Sequence, residues 1–303
     1  MAWSDIFADP AEHERIDWGR SSARFTASPD TTALLSFRRI DDWIRYGHVR
    51  YPQFQLNTPS GGVPPTMFTV TRPYLALSMP GYPDTDAIAA QLEQGATLRF
   101  VNIEDWYAPM AALADRLTRL LNATIATYAF YTPPGDDGVG AHFDSADVFA
   151  LQIEGTKTWH LWDIPDGTAW QESQTLRTDR APDQVVELRP GDGLYIPAGM
   201  GHRAFAGPEG TLHLSIAVRP TSHREIVRRW AEDLLAAIPR LERLPIHGDR
   251  VLPVTELLNA IAAAAAKTDP TELLARADVH RPNTSDTPLI AGVLPRSAAS
   301  RDT

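Results

Sequence analysis

Between Ala123 and Val218 the chain is a succession of short runs rich in Val, Ile, Leu and aromatic residues. The runs are Thr124 to Tyr131, Asp147 to Glu154, Lys157 to Trp162, Val185 to Leu188, Gly193 to Ile196 and Thr211 to Val218. Pro133-Pro134-Gly135, Glu154-Gly155, Arg189-Pro190-Gly191-Asp192 and Pro197-Ala198-Gly199 punctuate them as turns. Strands this close together, with no helices between them, argue against a parallel βαβ sheet and predict a β-sandwich or barrel.

Helical periodicity flanks that centre. Trp106, Met110, Leu113, Leu117 and Leu120 recur at spacings of three and four and predict an amphipathic helix over Asp105 to Asn122. Ile40 to Ile44 and Asp84 to Leu92 read as short helices, and Thr66 to Met79 as extended chain. After Arg219 helices are expected over His223 to Ile238, Thr255 to Ala266 and Thr271 to Ala277, the last opened by Asp269-Pro270. The expected organisation is an α/β N-terminal region over residues 1–100 packing on the barrel, a β core over 101–220, and a helical region with a tail over 221–303. The tail from Arg281 is polar and proline-dotted, either a packed loop or a disordered end. The helix His223 to Ile238 could form a homodimer face or simply cover the barrel.

Composition removes several function classes. The 303 residues include no cysteine, which excludes disulfides, thiolate zinc sites and thiol catalysis. With 28 basic and 38 acidic residues the net charge is −10, which argues against a nucleic-acid partner. No apolar run approaches the roughly 20 residues of a membrane span, and Met1-Ala2-Trp3-Ser4-Asp5 lacks the layout of a signal peptide. The expectation is a cytoplasmic protein with no membrane association.

The chemistry concentrates in the β-rich centre. His142 and Asp144 are two residues apart, so an extended Ala141–Ser145 segment would point both side chains to one face. His202 follows a glycine-containing turn after the run ending at Ile196. Two histidines and one carboxylate form the facial triad of non-haem Fe(II) sites, with positions left for substrate-derived ligands and O2. His-x-Asp alone is a weak signal, since a lone histidine is more often a core or surface residue. The downstream histidine within an all-β stretch makes the set specific. Lys157 begins an apolar run 13 residues after Asp144, in a chain whose only other lysine is Lys267. A lysine is ordinarily solvated, but a cation one strand from a metal suits the remote carboxylate of a dicarboxylate. The triad therefore predicts iron, and Lys157 predicts 2-oxoglutarate as cosubstrate.

Longer motifs carry a family resemblance. Tyr131-Thr132-Pro133-Pro134-Gly135, Gly140-Ala141-His142-Phe143-Asp144 and Asp147 through Lys157-Thr158-Trp159 resemble, in order, the JmjC/cupin-like ribosomal oxygenases. Leu188 to Gly199 with His202, and then Leu212-His213-Leu214-Ser215, continue the match. The resemblance implies a mainly β fold with flanking helices, a double-stranded β-helix with a helical C-terminal appendage. It implies Fe(II) on His142, Asp144 and His202, with Lys157 holding 2-oxoglutarate. The implied reaction is oxidative decarboxylation of 2-oxoglutarate coupled to hydroxylation of an arginine or histidine side chain of a ribosomal protein. Three places depart from the family pattern. Tyr128-Ala129-Phe130 stands where Asn-x-Tyr is usual, and Met200-Gly201 where two tryptophans often precede the third ligand. The segment after Arg219 is short for a dimerisation module plus a winged helix, which brings forward a dedicated peptide, such as a ribosomally made natural-product precursor, as substrate.

Tyr128, Tyr131 and Ser215 lie on strands expected to line the barrel and are candidate contacts to the cosubstrate, against a packing role. Ser215 shares its strand face with His213, for which a structural role is the plainer reading. Asp147 is expected to brace a turn, and His160 to point away from the site. His223, His247 and His280 lack metal spacing. A hydroxylase of a free amino acid or small metabolite is a rival within the same chemistry. A non-oxidative metal-binding cupin, as isomerase, hydrolase or binding module, is a rival outside it, and would have no use for a buried Lys157. Nothing resembles a chromatin-reading module, which argues against histone demethylation.

Overall fold

The computed structural model describes residues 2–46, 49–135, 138–163, 180–237 and 251–276. The first hundred residues give β1 (Ala23–Thr26), α1 (Pro29–Thr32), α2 (Phe37–Arg45), β2 (Phe54–Thr58) and β3 (Gly61–Gly62). They continue with a hairpin of β4 (Thr69–Tyr74) and β5 (Leu77–Pro83), then α3 (Thr85–Glu93) and β6 (Thr97–Phe100). Next come α4 (Ala108–Leu121), β7 (Ala123–Thr132), β8 (Asp147–Trp162), β9 (Gln184–Leu188), β10 (Asp192–Ile196) and β11 (Gly201–Pro220). Three helices close the described chain: α5 (His223–Ala237), α6 (Val251–Ala265) and α7 (Pro270–Arg276). Asp269 caps α7 by accepting the Thr271 N–H at 2.8 Å, as its position before Pro270 predicts.

The main sheet is antiparallel in the order β1-β10-β8-β11-β7-β6-β2-β3, with β9 beside β8. β1, β2, β3 and β6 all come from the first hundred residues. The expected boundary at residue 100 therefore runs through the sheet, and the N-terminal region is part of the β core rather than a layer on it. Two runs read as separate strands, Asp147 to Glu154 and Lys157 to Trp162, are one strand, β8. Glu154-Gly155 is a bend within it. Gly155 has φ +66, and a Cβ there would lie 1.9 Å from the Gly210 carbonyl oxygen, so only glycine permits β11 to approach this closely. On the far side of the bend β8 pairs its Lys157–Trp162 half with Gly201–Ala206 of β11.

Side-chain alternation sorts β11 into two faces. Leu212, Leu214 and Ile216 enter the main core, while His213 and Ser215 face the other way. That core is closed by α4, which buries Met110, Leu113, Ala114 and Leu117 along one stripe. Each such Leu or Met contributes roughly 1.5–3 kcal/mol when fully buried. Asn122 ends α4 in the left-handed region, φ 46, and turns the chain into β7. No helix among the described residues is long and apolar enough to cross a membrane. Ile238, His247, Ala277, His280 and the tail from Arg281 lie outside the described residues.

Candidate metal centre

His142 and Asp144 are not on a regular strand. His142 forms an isolated antiparallel bridge with His202 at the start of β11. The His142 N–H donates to the His202 carbonyl at 3.1 Å, and the His202 N–H returns the bond to the His142 carbonyl at 3.0 Å. The Asp144 carbonyl accepts the Gly199 N–H at 2.8 Å. The loop that carries His142 and Asp144 is thus joined through its backbone to the start of β11 and the turn before it, which brings His142 Nε2 to 3.7 Å and His202 Nε2 to 3.5 Å from the two oxygens of Asp144. The ligand-type atoms of all three residues lie within 4.8 Å of one another. Asp147 braces the turn that leads to His202: its Oδ1 accepts the Tyr195 hydroxyl at 2.9 Å and the Ala198 N–H at 3.0 Å.

Both imidazoles are aimed by their own loops. His142 Nδ1 lies 2.8 Å from the Gly140 carbonyl and His202 Nδ1 lies 3.1 Å from the Met200 carbonyl. A carbonyl only accepts, so each Nδ1 carries the proton and each Nε2 presents a lone pair to the common point. Burial lowers the His202 pKa to about 4, reinforced by the neighbouring His142, so this imidazole is neutral at physiological pH. Two imidazole nitrogens and one carboxylate fit a borderline divalent metal such as Fe(II).

The triad opens into a cavity of about 120 Å³ that also holds Lys157, Trp159, His213 and Arg99. Lys157 is 4% exposed, and burial depresses its pKa to about 7. Its Nζ lies 3.1 Å from His213 Nδ1 and 5.7 Å from the centre of the Trp159 ring. Trp159 spans the cavity, its ring centre 6.0 Å from that of His202 and 5.4 Å from that of His213. Among the described residues, Asp144 is the only carboxylate of the lining, against the basic Lys157, Arg99 and Arg203.

The other candidates separate by strand parity. Phe130 and Thr132 of β7 line the cavity. Tyr128 shares their face but is not among the lining residues; its ring is covered by the Arg99 guanidinium, 4.8 Å from ring centre to Cζ. Tyr131, an odd number of residues away, lies on the opposite face. It packs edge-on against Phe37 at 5.6 Å and lines a cleft of about 450 Å³ beneath α2 and α3. The expectation that Tyr131 contacts a cosubstrate beside Lys157 is therefore corrected: strand alternation points it into the other layer. Ser215 is buried on the His213 face, opposite Tyr128 and Ala150, beyond the residues that line the cavity. His160 points away from the site, its ring centre 4.8 Å from that of Phe205.

Arg99 and Trp159 are site residues that the sequence did not single out. Arg99 sits on β6, 43 positions before His142, and only the β6–β7 pairing of Arg99 with Phe130 brings it to the cavity. Trp159 was visible as an alternate residue to Lys157 on one strand, a signal that its spacing of two already carried.

Comparison with known proteins agrees with this architecture. A JmjC domain matches residues 105–226, the stretch that contains the triad and Lys157. The bifunctional lysine-specific demethylase and histidyl-hydroxylase NO66 of Drosophila persimilis is 27% identical over 211 residues, covering 67% of this chain and 29% of that protein. Ribosomal oxygenase 2 of Mus musculus is 29% identical over 151 residues, covering 48% of this chain and 31% of that one. The chain thus spans about a third or less of the length of these curated relatives. Among solved structures, YcfD, a ribosomal oxygenase from Escherichia coli in complex with cobalt and 2-oxoglutarate, superposes with a TM-score of 0.58 at 17% identity, covering 90% of this chain and 70% of that one. Residues 105–226 thus resemble a JmjC domain, within a mainly antiparallel β fold with flanking helices. The sequence and fold resemble those of the ribosomal oxygenases.

Proposed function

We propose that this chain is an Fe(II)- and 2-oxoglutarate-dependent oxygenase that hydroxylates a side chain in a protein or peptide. The observation that carries the reading is one cavity with a His142/Asp144/His202 donor set and a dry, buried lysine. A non-oxidative cupin would need the first and have no use for the second, because a buried ammonium is costly unless a ligand anion compensates it.

When bound, the iron would supply O2 activation while 2-oxoglutarate is decarboxylated to succinate and CO2 and one oxygen atom enters a substrate C–H bond. The chain's own residues do the rest. His142, Asp144 and His202 would hold the metal, each through one ligand atom. Lys157 neutralises the remote carboxylate of the cosubstrate in a place water does not reach. Trp159 walls the space between the two ends and keeps it dry.

NO66 is named a histidyl-hydroxylase and its relatives ribosomal oxygenases, so a histidine in a ribosomal protein or in a dedicated precursor peptide is the substrate class this reading favours. Among the described residues the lining agrees with a neutral imidazole better than with a guanidinium, because Arg99 and Lys157 already oppose the one carboxylate there, Asp144. The compartment, the homodimer through C-terminal helices, and the division at residue 220 rest on the sequence alone.

The test is cosubstrate turnover. With Fe(II), ascorbate and air, succinate formation from 2-oxoglutarate should require the metal and disappear in Asp144→Ala. Histidine-containing ribosomal peptides should then gain the mass of one oxygen atom. Folded, iron-loaded protein that forms no succinate with or without peptide would refute the proposal.

A further inference from the structure

His213 is buried, titratable, and outside the donor set, yet it touches the cation the cosubstrate needs. Its Nδ1 lies 3.1 Å from Lys157 Nζ. The imidazole is clamped from two sides, stacked on Phe130 with 4.9 Å between centres and 6° between planes, and edge-on to Trp159 at 5.4 Å. Its direction is therefore fixed by packing and not by the hydrogen bond alone. When Lys157 is protonated it has only donors, so Nδ1 then accepts and the ring is the neutral Nε2–H tautomer. Burial and the charge of Lys157 both hold the His213 pKa well below its usual value, which keeps that acceptor unprotonated.

We propose that His213 is a positioning residue for cosubstrate binding: it ties one Nζ–H of Lys157 and leaves the other two directed at the remote carboxylate of 2-oxoglutarate. The inference rests on the oxygenase reading above and assigns a role to a residue for which packing was the plainer expectation. A lysine side chain is long and loses much rotamer freedom when ordered, so an acceptor that pre-orders it places that cost in folding rather than in binding. Phe130, stacked on that imidazole, has no hydroxyl to offer Lys157, so the acceptor is the His213 nitrogen.

Two substitutions separate the hydrogen bond from the packing. His213→Phe keeps a flat ring against Phe130 and removes the acceptor. His213→Asn sacrifices the stacking but keeps an acceptor oxygen near the place of Nδ1. The measurement is anaerobic calorimetric titration of the Fe(II)-loaded protein with 2-oxoglutarate, with metal affinity and thermal melting recorded for each variant. The expected result is about tenfold weaker cosubstrate binding in His213→Phe and less than about threefold in His213→Asn, with metal affinity unchanged in both. Long-range nitrogen-proton correlation in the wild type should show an unprotonated Nδ1 at His213. Wild-type affinity in His213→Phe, or equal loss in both variants, would overturn the positioning role while leaving the oxygenase reading intact. Absence of 2-oxoglutarate binding in the wild type would overturn that reading and this inference with it.

Discussion

The two ends of the cavity are built by different means. At the metal end a loop supplies His142 and Asp144, which remain partly exposed, and a backbone bridge ties it to the buried His202 at the very start of β11. At the other end Lys157 and His213 stand on the two long strands β8 and β11, both nearly closed to solvent. The difference fits what each end must do. A metal exchanges ligands and must be reached by O2 and substrate, so its donors are fixed by short backbone ties and left open on one side. A carboxylate is recognised by charge, whose pull is strongest where water is excluded, so its partner is set inside the sheet.

Breaking the open end should have the larger effect. Asp144→Ala removes the only carboxylate among the described lining residues and should lower succinate formation by about a thousandfold or more, with iron binding lost by equilibrium dialysis and the fold retained. Breaking the closed end should spare the metal. Lys157→Met should weaken 2-oxoglutarate binding by about a hundredfold, the cost of leaving a carboxylate unpaired in a dry site, while iron still binds.

The same lysine gives the closed end a pH dependence of known sign. Its pKa falls from 10.5 to about 7 on folding, so between those values the unfolded chain holds a proton the folded chain has released. Stability of the free protein from this group therefore falls as pH drops from about 10.5 to 7 and is level below that. Lys157→Met removes the penalty and should stabilise the free protein at pH 6–7 by a few kcal/mol, at about 1.4 per pKa unit. Cosubstrate binding runs the other way. Above about pH 7 the dianion must restore the proton, so the dissociation constant should rise by up to tenfold per pH unit, with proton uptake visible in buffers of different ionisation enthalpy. Lys157→Arg keeps its charge at every pH tested and should flatten that slope.

The smallest effect sharpens the contrast between the two faces of β7. Tyr131→Phe alters the cleft under α2 and α3 and should leave 2-oxoglutarate affinity within about twofold, because that face belongs to another layer.

How far the sequence could go follows from the same contrast. The triad and Lys157 are local signals, a His-x-Asp pair, a histidine after a turn and a misplaced lysine, and each was readable in place. The β-rich centre was readable too, because its runs alternate and its turns are marked by Gly and Pro. The joining of two runs into β8 was hidden, because Glu154-Gly155 looks like a turn unless Gly210 is known to press against it. The contribution of β1, β2 and β6 to the sheet was hidden for a related reason: strands of four or five residues take their identity from partners far along the chain. Arg99 reaches the cavity only through such a pairing. Tyr128 and Tyr131 could not both face the site, since an odd separation on one strand puts the two on opposite faces, but parity alone does not say which face holds the cavity.

Anaerobic titration of the Fe(II)-loaded protein with 2-oxoglutarate, followed by visible absorption, joins both ends of the cavity in one reading. A metal-to-ligand charge-transfer band should appear as the cosubstrate binds, vanish in His142→Ala and weaken in Lys157→Ala. Folded, iron-loaded protein that gives no band at saturating 2-oxoglutarate would contradict the oxygenase assignment and leave the metal-binding cupin in its place.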